Sequence, residues 1–384
     1  MSGEILRSVN AQALWTPWQQ LWAVSSQSEC FTHPSWLIPW WSTLGKTSDP
    51  YLAVVRIRDE FQGVAPLTRH RSPFGDVLRP AGEGVSDYTD WLLPDQPNLR
   101  TAARDDLVKL LAGQADWTGL ELPGLRNETD AGELQRAFEH SGIRTRLLAG
   151  MACPFVSMPN GFNAYYATRN AQTRYNVRSR ERRLSQMGTL RYVHATAKDA
   201  PRLLEDAIDL HARRWQGQHT STVFSAAPLG RAFYRATIPD SVRHEFGDIA
   251  ALMINDRVIA TSIGFVRGSR YAYYLPAWHP GYHPYAPSTL LLVHLMEFAA
   301  DRGASTFDFM LGDEPYKATW ATGQTRVHTL IAHKPTPAGQ IWARGRLLAH
   351  ALKNRVRSSP ELMSLRRYGF GALGRVVSRT TGES

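Results

Sequence analysis

Between Phe246 and Trp320 the period of apolar and polar positions changes three times, and each change marks an element. Ile249 to Ile254 is an apolar run broken by the turn pair Asn255 and Asp256. It resumes from Val258 to Val266, and Gly268 with Ser269 turns the chain into a third run, Tyr271 to Leu275. The spacing predicts an antiparallel meander. A helix is predicted from Thr289 to Arg302, opened by Ser288 or Thr289 and stopped by Gly303. Only His294, Glu297 and Asp301 share a polar face, so this helix should be mostly buried. From Thr306 to Met310 the pattern alternates, which puts Thr306, Asp308 and Met310 on one face of a strand and Phe307 and Phe309 on the other. An acid in mid-strand needs a partner. Asp308 therefore caps a loop, pairs with an arginine, or serves a site at the strand's end, where the polar run Gly312 to Lys317 follows.

The rest of the chain yields a similar order of elements. Residues 11 to 44 read as two short helices carrying Trp15, Trp18, Trp22, Trp36, Trp40 and Trp41 at spacings that suit faces packed on a sheet, with sugar binding as the other use of such a cluster. Strands at Tyr51 to Ile57 and Gly63 to Thr68, a helix from Arg100 to Gln114, a strand at Gly119 to Leu122 and a helix from Asp130 to Ser141 make an α/β unit. Met151 to Met158 reads as the crossing to a second unit. That unit opens with one long helix, Phe162 to Met187, closed by Gly188. Arg174, Arg178 and Arg182 stand four apart on one face of it: either a solvated basic face or an anion clamp. A strand at Thr189 to Thr196, a helix from Asp199 to Trp215, and a last strand at Arg326 to His333 complete the unit. From Gln340 onward the tail is helical in pattern, with an apolar stripe at Ile341, Leu348, Leu352 and Val356 on which Arg344 and Arg355 intrude.

Composition narrows the class. At 384 residues the chain exceeds one ordinary core and suggests two domains; 43% apolar and 20% charged residues mark it as globular. Cys30 and Cys153 lie in no metal or redox spacing, and the histidines near Trp215 and Trp278 lack carboxylates or cysteines at ligand spacing, so no metal site is expected. The start, Met1 to Arg7, has no signal-peptide pattern, and no stretch approaches ~18 uninterrupted apolar residues. A cytoplasmic protein is expected, at most peripheral at the inner membrane face. The net charge of +10 is concentrated in residues 169–191, with seven arginines against Glu181, and residues 340–384, with nine Lys and Arg against two Glu. An anionic partner would meet those patches: tRNA, an acyl carrier protein or a membrane surface.

The succession of meander, helix and strand, followed by Gly312-Asp313-Glu314-Pro315-Tyr316-Lys317 and then Trp320, resembles the C-terminal acyltransferase domain of the GNAT superfamily. More narrowly it resembles the CelD-type branch, associated with bacterial cellulose and exopolysaccharide genes and related in architecture to the FemABX transferases. Ser86-Asp87-Tyr88 and Asp90 are similar to a phrase of that branch's first domain. Ser288 departs from the pattern, standing where the branch has a glycine. The resemblance implies an α/β, α+β-layered fold: two tandem GNAT-like domains (1–155 and 156–335) with mixed, largely antiparallel sheets, and a basic helical tail (336–384). It implies N-acyl transfer from a thioester, acyl-CoA such as acetyl-CoA or an acyl carrier protein, to a small-molecule or glycan-linked amine, without a metal. In such a reaction Asp308 would orient or deprotonate the nucleophile, Tyr316 would bond at the leaving group and Lys317 would meet an anionic group. Arg174, Arg178, Arg182, Asp87, Tyr88, His283 and Asp313 would contact substrates, and His279 or His283 could also act as base. Two other readings stay open: a FemABX-like transfer from aminoacyl-tRNA, and a non-catalytic GNAT pair that binds a polysaccharide or an assembly partner.

Overall fold

The computed structural model describes residues 1–126, 128–215, 224 and 227–358. The first unit comprises β1 (Ser2–Leu6), α1 (Ala11–Ala23), α2 (Pro34–Ser42), β2 (Asp49–Ile57), β3 (Glu60–His70), β4 (Val77–Pro80), α3 (Pro97–Gly113), β5 (Gly119–Leu125), α4 (Glu128–His140) and β6 (Arg144–Ser157). Two helices, α5 (Gly161–Ala167) and α6 (Ala171–Ser185), lead into the second: β7 (Leu190–His194), α7 (Ala200–Trp215), α8 (Pro228–Arg243), β8 (Gly247–Ile254), β9 (Arg257–Arg267), β10 (Arg270–Trp278), α9 (Pro287–Asp301), β11 (Thr306–Asp308), α10 (Pro315–Trp320) and β12 (Gly323–His333). The helix α11 (Pro337–Ser358) ends the described chain.

The units repeat one order: a strand, two helices, a three-stranded meander, a helix, a parallel strand, a helix and a closing strand. Their strands form a single sheet in the order β1-β2-β3-β4-β5-β12-β6-β11-β10-β9-β8-β7. Only β4 with β5 and β10 with β11 run parallel. The closing strands are exchanged. β6, the last strand of the first unit, lies beside β11 of the second, and β12 lies beside β5 of the first, while β6 and β12 pair with each other at the centre. Of residues 151–158, read from sequence as a crossing, 151–157 are thus the end of a long central strand. The division at 155 and 156 falls inside β6, and the two sheets are continuous through it.

Alternation along the strands sorts two layers of helices. Leu52 and Val54 of β2 join the core under α1, α2, α7 and α8, whereas Tyr51, Ala53 and Val55 join the core under α3 and α4. In β11 and the residues after it, Phe307 and Phe309 enter the core under α5, α6 and α9, and Met310 enters the opposite one, as the pattern requires. The tryptophans are core residues: Trp18, Trp36, Trp40 and Trp41 are buried, each contributing on the order of 2–3 kcal/mol from area removed from water. The expected single helix from 162 to 187 is broken at Thr168–Asn170, because the Asn170 side chain accepts the Thr173 N–H at 2.7 Å and caps a new helix there.

Candidate functional site

The second unit's sheet opens beside its parallel strand. β10 and β11 pair only over Arg270–Ala272 against Thr306–Asp308. β10 then runs on to Trp278 with β9 as its sole strand neighbour, through a bulge between Tyr273 and Leu275. β11 stops at Asp308, and Met310, at φ +61, turns the chain aside. One edge of β10 therefore faces a gap with peptide groups that no strand satisfies. Such an edge can hold an extended, amide-bearing ligand as an added strand, and N–H groups at a bulge can face a carbonyl on which negative charge develops.

The loop 82–91 of the first unit closes one side of this gap. Its position is fixed at two points. Thr89 N–H donates to Gly124 O at 2.9 Å, and Gly124, at φ +80, lies so close that a Cβ would stand 3.0 Å from Asp87 O. Across the gap, the Tyr88 hydroxyl donates to the Asp308 carboxylate at 3.0 and 3.2 Å, and the Tyr274 hydroxyl donates to Val85 O while accepting from Tyr234 at 3.0 Å. Asp87 is held by a hydrogen bond from the Leu311 backbone and feels Lys317, Asp308 and Glu314. Its carboxyl is pushed up to about 6, chiefly by burial, with the neighbouring Asp308 and Glu314 carboxylates adding to the shift and Leu311 and Lys317 opposing it.

Asp308 sits deeper. Besides Tyr88 it accepts the Met310 N–H at 2.8 Å and lies 3.5 Å from Arg270. It thus caps the turn and meets an arginine at once. Arg270 also donates both guanidinium nitrogens to Glu29, at 3.1 Å for the first, and Arg126 donates to Glu29 at 2.6 Å, so a buried chain of charges ties the two units together. Burial raises the Asp308 pKa despite Arg270, while Glu29 ends below the ordinary range because its two arginines outweigh burial. Lys317 is buried beside the gap, and its ammonium donates to Leu311 O at 2.8 Å and pairs with Glu314 at 2.7 Å. It fastens the 309–314 loop. Tyr316 is exposed and stands edge-on to Phe309, while Asp313 is exposed in the turn.

Asp87, Tyr88, Asp308 and Lys317 therefore converge on one gap. The other sequence candidates stand apart. Arg174 donates to Ala167 O at 2.7 Å and braces the link between α5 and α6. Arg178 and Arg182 are exposed on α6 and make no hydrogen bond or ion pair among the described residues. Arg183, beside that stripe, is the one that reaches the turn before α9, lying 5.1 Å from the Tyr285 ring. His283 is exposed in that turn, and His279 accepts from Gly281 N–H at 3.1 Å. The turn ends at Ala286, left-handed at φ +45, and Ala286 O accepts from both Thr289 and Leu290. With Pro287 lacking an N–H, few free donors remain at the α9 end for a diphosphate. Arg270, Glu29, Tyr234 and Tyr274 were not singled out by sequence, since each meets its partner only through long-range packing. Among the described residues no three His, Cys, Asp or Glu side chains are placed to hold a metal ion.

A family model described as an acetyltransferase (GNAT) domain matches residues 171–318, the span that holds the gap, its bulged strand and Lys317. Residues 171–318 are thus similar to a GNAT domain. The acyltransferase class follows from that domain, whose fold generally takes acyl-CoA. No protein of curated function matches the sequence. Among solved structures, FemX superposes with a TM-score of 0.59 at 12% identity, over 86% of this chain and 97% of its own. A conserved protein of unknown function from Bacteroides thetaiotaomicron gives 0.53 at 12%, over 87% and 100%, and L-PGS from Bacillus licheniformis gives 0.50 at 11%, over 77% and 86%. At such identities the likeness establishes the fold, and it extends beyond the GNAT domain to the first unit. A separate cavity of about 380 Å³ lies between α3, α4 and the β9–β10 turn. Most of its charges are matched, Arg100 with Asp130, Arg104 with Glu133, and Arg126 and Arg270 with Glu29, while Arg267 donates to the Trp22 and Ser25 carbonyls and Asp90 accepts from the Glu29 and Trp91 amides.

Proposed function

We propose that the protein transfers an acyl group from a thioester to an amine within the gap between β10 and β11. The one-sided pairing of β10 beyond Ala272 carries this reading, because it leaves a strand edge and a bulge for an amide-bearing donor arm and its carbonyl. The neutral amine attacks the thioester carbon, and the carbonyl electrons move onto an oxygen faced by the β10 amides. Asp87 takes the proton from the new C–N centre, the C–S bond breaks, and the thiolate leaves with a proton returned from Asp87. A carboxyl held near 6 suits that exchange at neutral pH. Asp308, with its oxygens already engaged, is assigned to positioning Tyr88 and the loop, and Lys317 to holding the 309–314 turn beside the donor. Phrases similar to the CelD-type branch, at 86–90 and 307–317, favour a glycan-linked amine as acceptor and a place in exopolysaccharide chemistry.

Release of free thiol from acetyl-CoA and longer acyl-CoA, with an amino sugar present, tests the reading. Asp87→Asn should lower turnover by ~10²-fold with the melting temperature kept. Thiol release unchanged in that variant, or absent with every acyl-CoA, would count against it. One observation favours an aminoacyl-tRNA donor instead: Arg178 and Arg182, exposed and unpaired among the described residues, together with the few free amides at the α9 end. Transfer from charged tRNA with none from acyl-CoA would decide for that second reading.

A further inference from the structure

The tail helix α11 uses one face to hold on to its own protein. Trp342 and Ala343 are buried against Val77 and Ile331, and Arg346 and His350 both reach the buried Glu121 carboxylate, the histidine at 2.9 Å. The opposite face carries Ile341, Leu348 and Leu352, at 51%, 66% and 63% exposure. Spacings of seven and four keep these three within about 20° of one line along the helix. The helix holds no acidic residue, and Arg344 stands exposed at the edge of the line. Beside that edge a groove of about 560 Å³ runs between α11 and the start of β6, lined by Arg144, Arg146 and Arg344. None of the three arginines makes a hydrogen bond or ion pair among the described residues. The groove's one carboxylate, Glu139, accepts instead from Gln135 and Thr145.

We propose that α11 and this groove form a docking face for an anionic phospholipid bilayer. Ile341, Leu348 and Leu352 would enter the acyl boundary while Arg144, Arg146 and Arg344 take lipid phosphates at headgroup level, Arg344 reaching sideways along its stem rather than burying its charge. A dissolved polyanion such as RNA would use the arginines and gain nothing from three exposed aliphatic side chains. The chain beyond the described residues supports the charge argument, since 359–384 adds four arginines against two glutamates.

Co-sedimentation of the full chain with phosphatidylcholine vesicles, with and without a third of phosphatidylglycerol, tests this. Binding is expected only with phosphatidylglycerol, weakening as salt rises. Two exposed-site variants, Ile341→Ser/Leu348→Ser/Leu352→Ser and Arg144→Gln/Arg146→Gln/Arg344→Gln, should each lower the bound fraction at least tenfold with the melting temperature held. No sedimentation with anionic vesicles, or equal sedimentation with phosphatidylcholine alone, overturns the proposal. Loss in the arginine variant with none in the serine variant overturns it too, and marks the groove as a site for a soluble polyanion.

Discussion

Arg270→Met removes the centre of the buried charge chain and keeps most of the stem. In the parent, Arg270 is the shared cation of Glu29 and Asp308, whose side chains are each about 5% exposed. Without it, Glu29 retains Arg126, which is partly exposed, and Asp308 retains only the Tyr88 hydroxyl and the Met310 amide. Leaving one partner of a buried ion pair behind costs roughly 3–5 kcal/mol, so the urea midpoint should fall by that equivalent. Because Glu29 belongs to the first unit and Arg270 and Asp308 to the second, the loss should appear as one transition sensed by tryptophans of both units. Glu29→Met/Arg270→Met removes the uncompensated Glu29 carboxylate and frees Arg126 to reach water but leaves Asp308 without its cation, so it should recover part of the loss and stay below the parent. A loss below about 1 kcal/mol in the single variant, or a double variant less stable than the single, would refute the reasoning.

Three further outcomes follow from the same geometry. If Asp87 is the proton acceptor, kcat/KM should rise with pH through about 6, because the ionised form acts and the protonated form below that pH does not; Asp87→Asn should flatten this limb, and a limb kept in the variant would assign it elsewhere. Ala286→Gly relieves a left-handed alanine and should stabilise by about 1 kcal/mol, readable as a raised melting temperature; a drop would show that the Ala286 methyl packs usefully. Arg178→Ala/Arg182→Ala should raise KM for the anionic donor and weaken its salt dependence while leaving kcat, and an unchanged KM would leave them as a solvated face.

The strands of the meander were legible because each is bounded by a turn signal and filled with apolar residues: the run ending at Ile254 is β8, and the turn at Gly268 separates β9 from β10. The faces of β11 were legible for the same reason, since a strict period of two can be satisfied only one way against two cores. What the pattern could not show is partnership across long separations. Tyr88 meets Asp308 across 220 residues, and nothing in either neighbourhood names the other. The exchange of β6 and β12 was hidden because each pairs with strands far off in sequence, which no local pattern names. The helix break at Asn170 had a local signal, an Asn three residues before Thr173, that the arginine spacing concealed. At Ala286 the residue type argues against the left-handed conformation it adopts.

The proposed acyl transfer requires that the open edge of β10 receive the donor. Amide hydrogen exchange on the full chain, with and without a non-hydrolysable acyl-CoA thioether, reads that edge directly. Protection gathered on the β10 amides between Tyr273 and Trp278 is the expected result, as the donor arm takes up N–H groups that no strand faces; the amides of Phe309 to Gly312, already bonded to Pro154 O, Asp308, Asp87 and Ala152 O, should not change. Unchanged exchange on those β10 amides, with protection instead around Arg100, Arg104 and Thr89 in the cavity by α3, would contradict it.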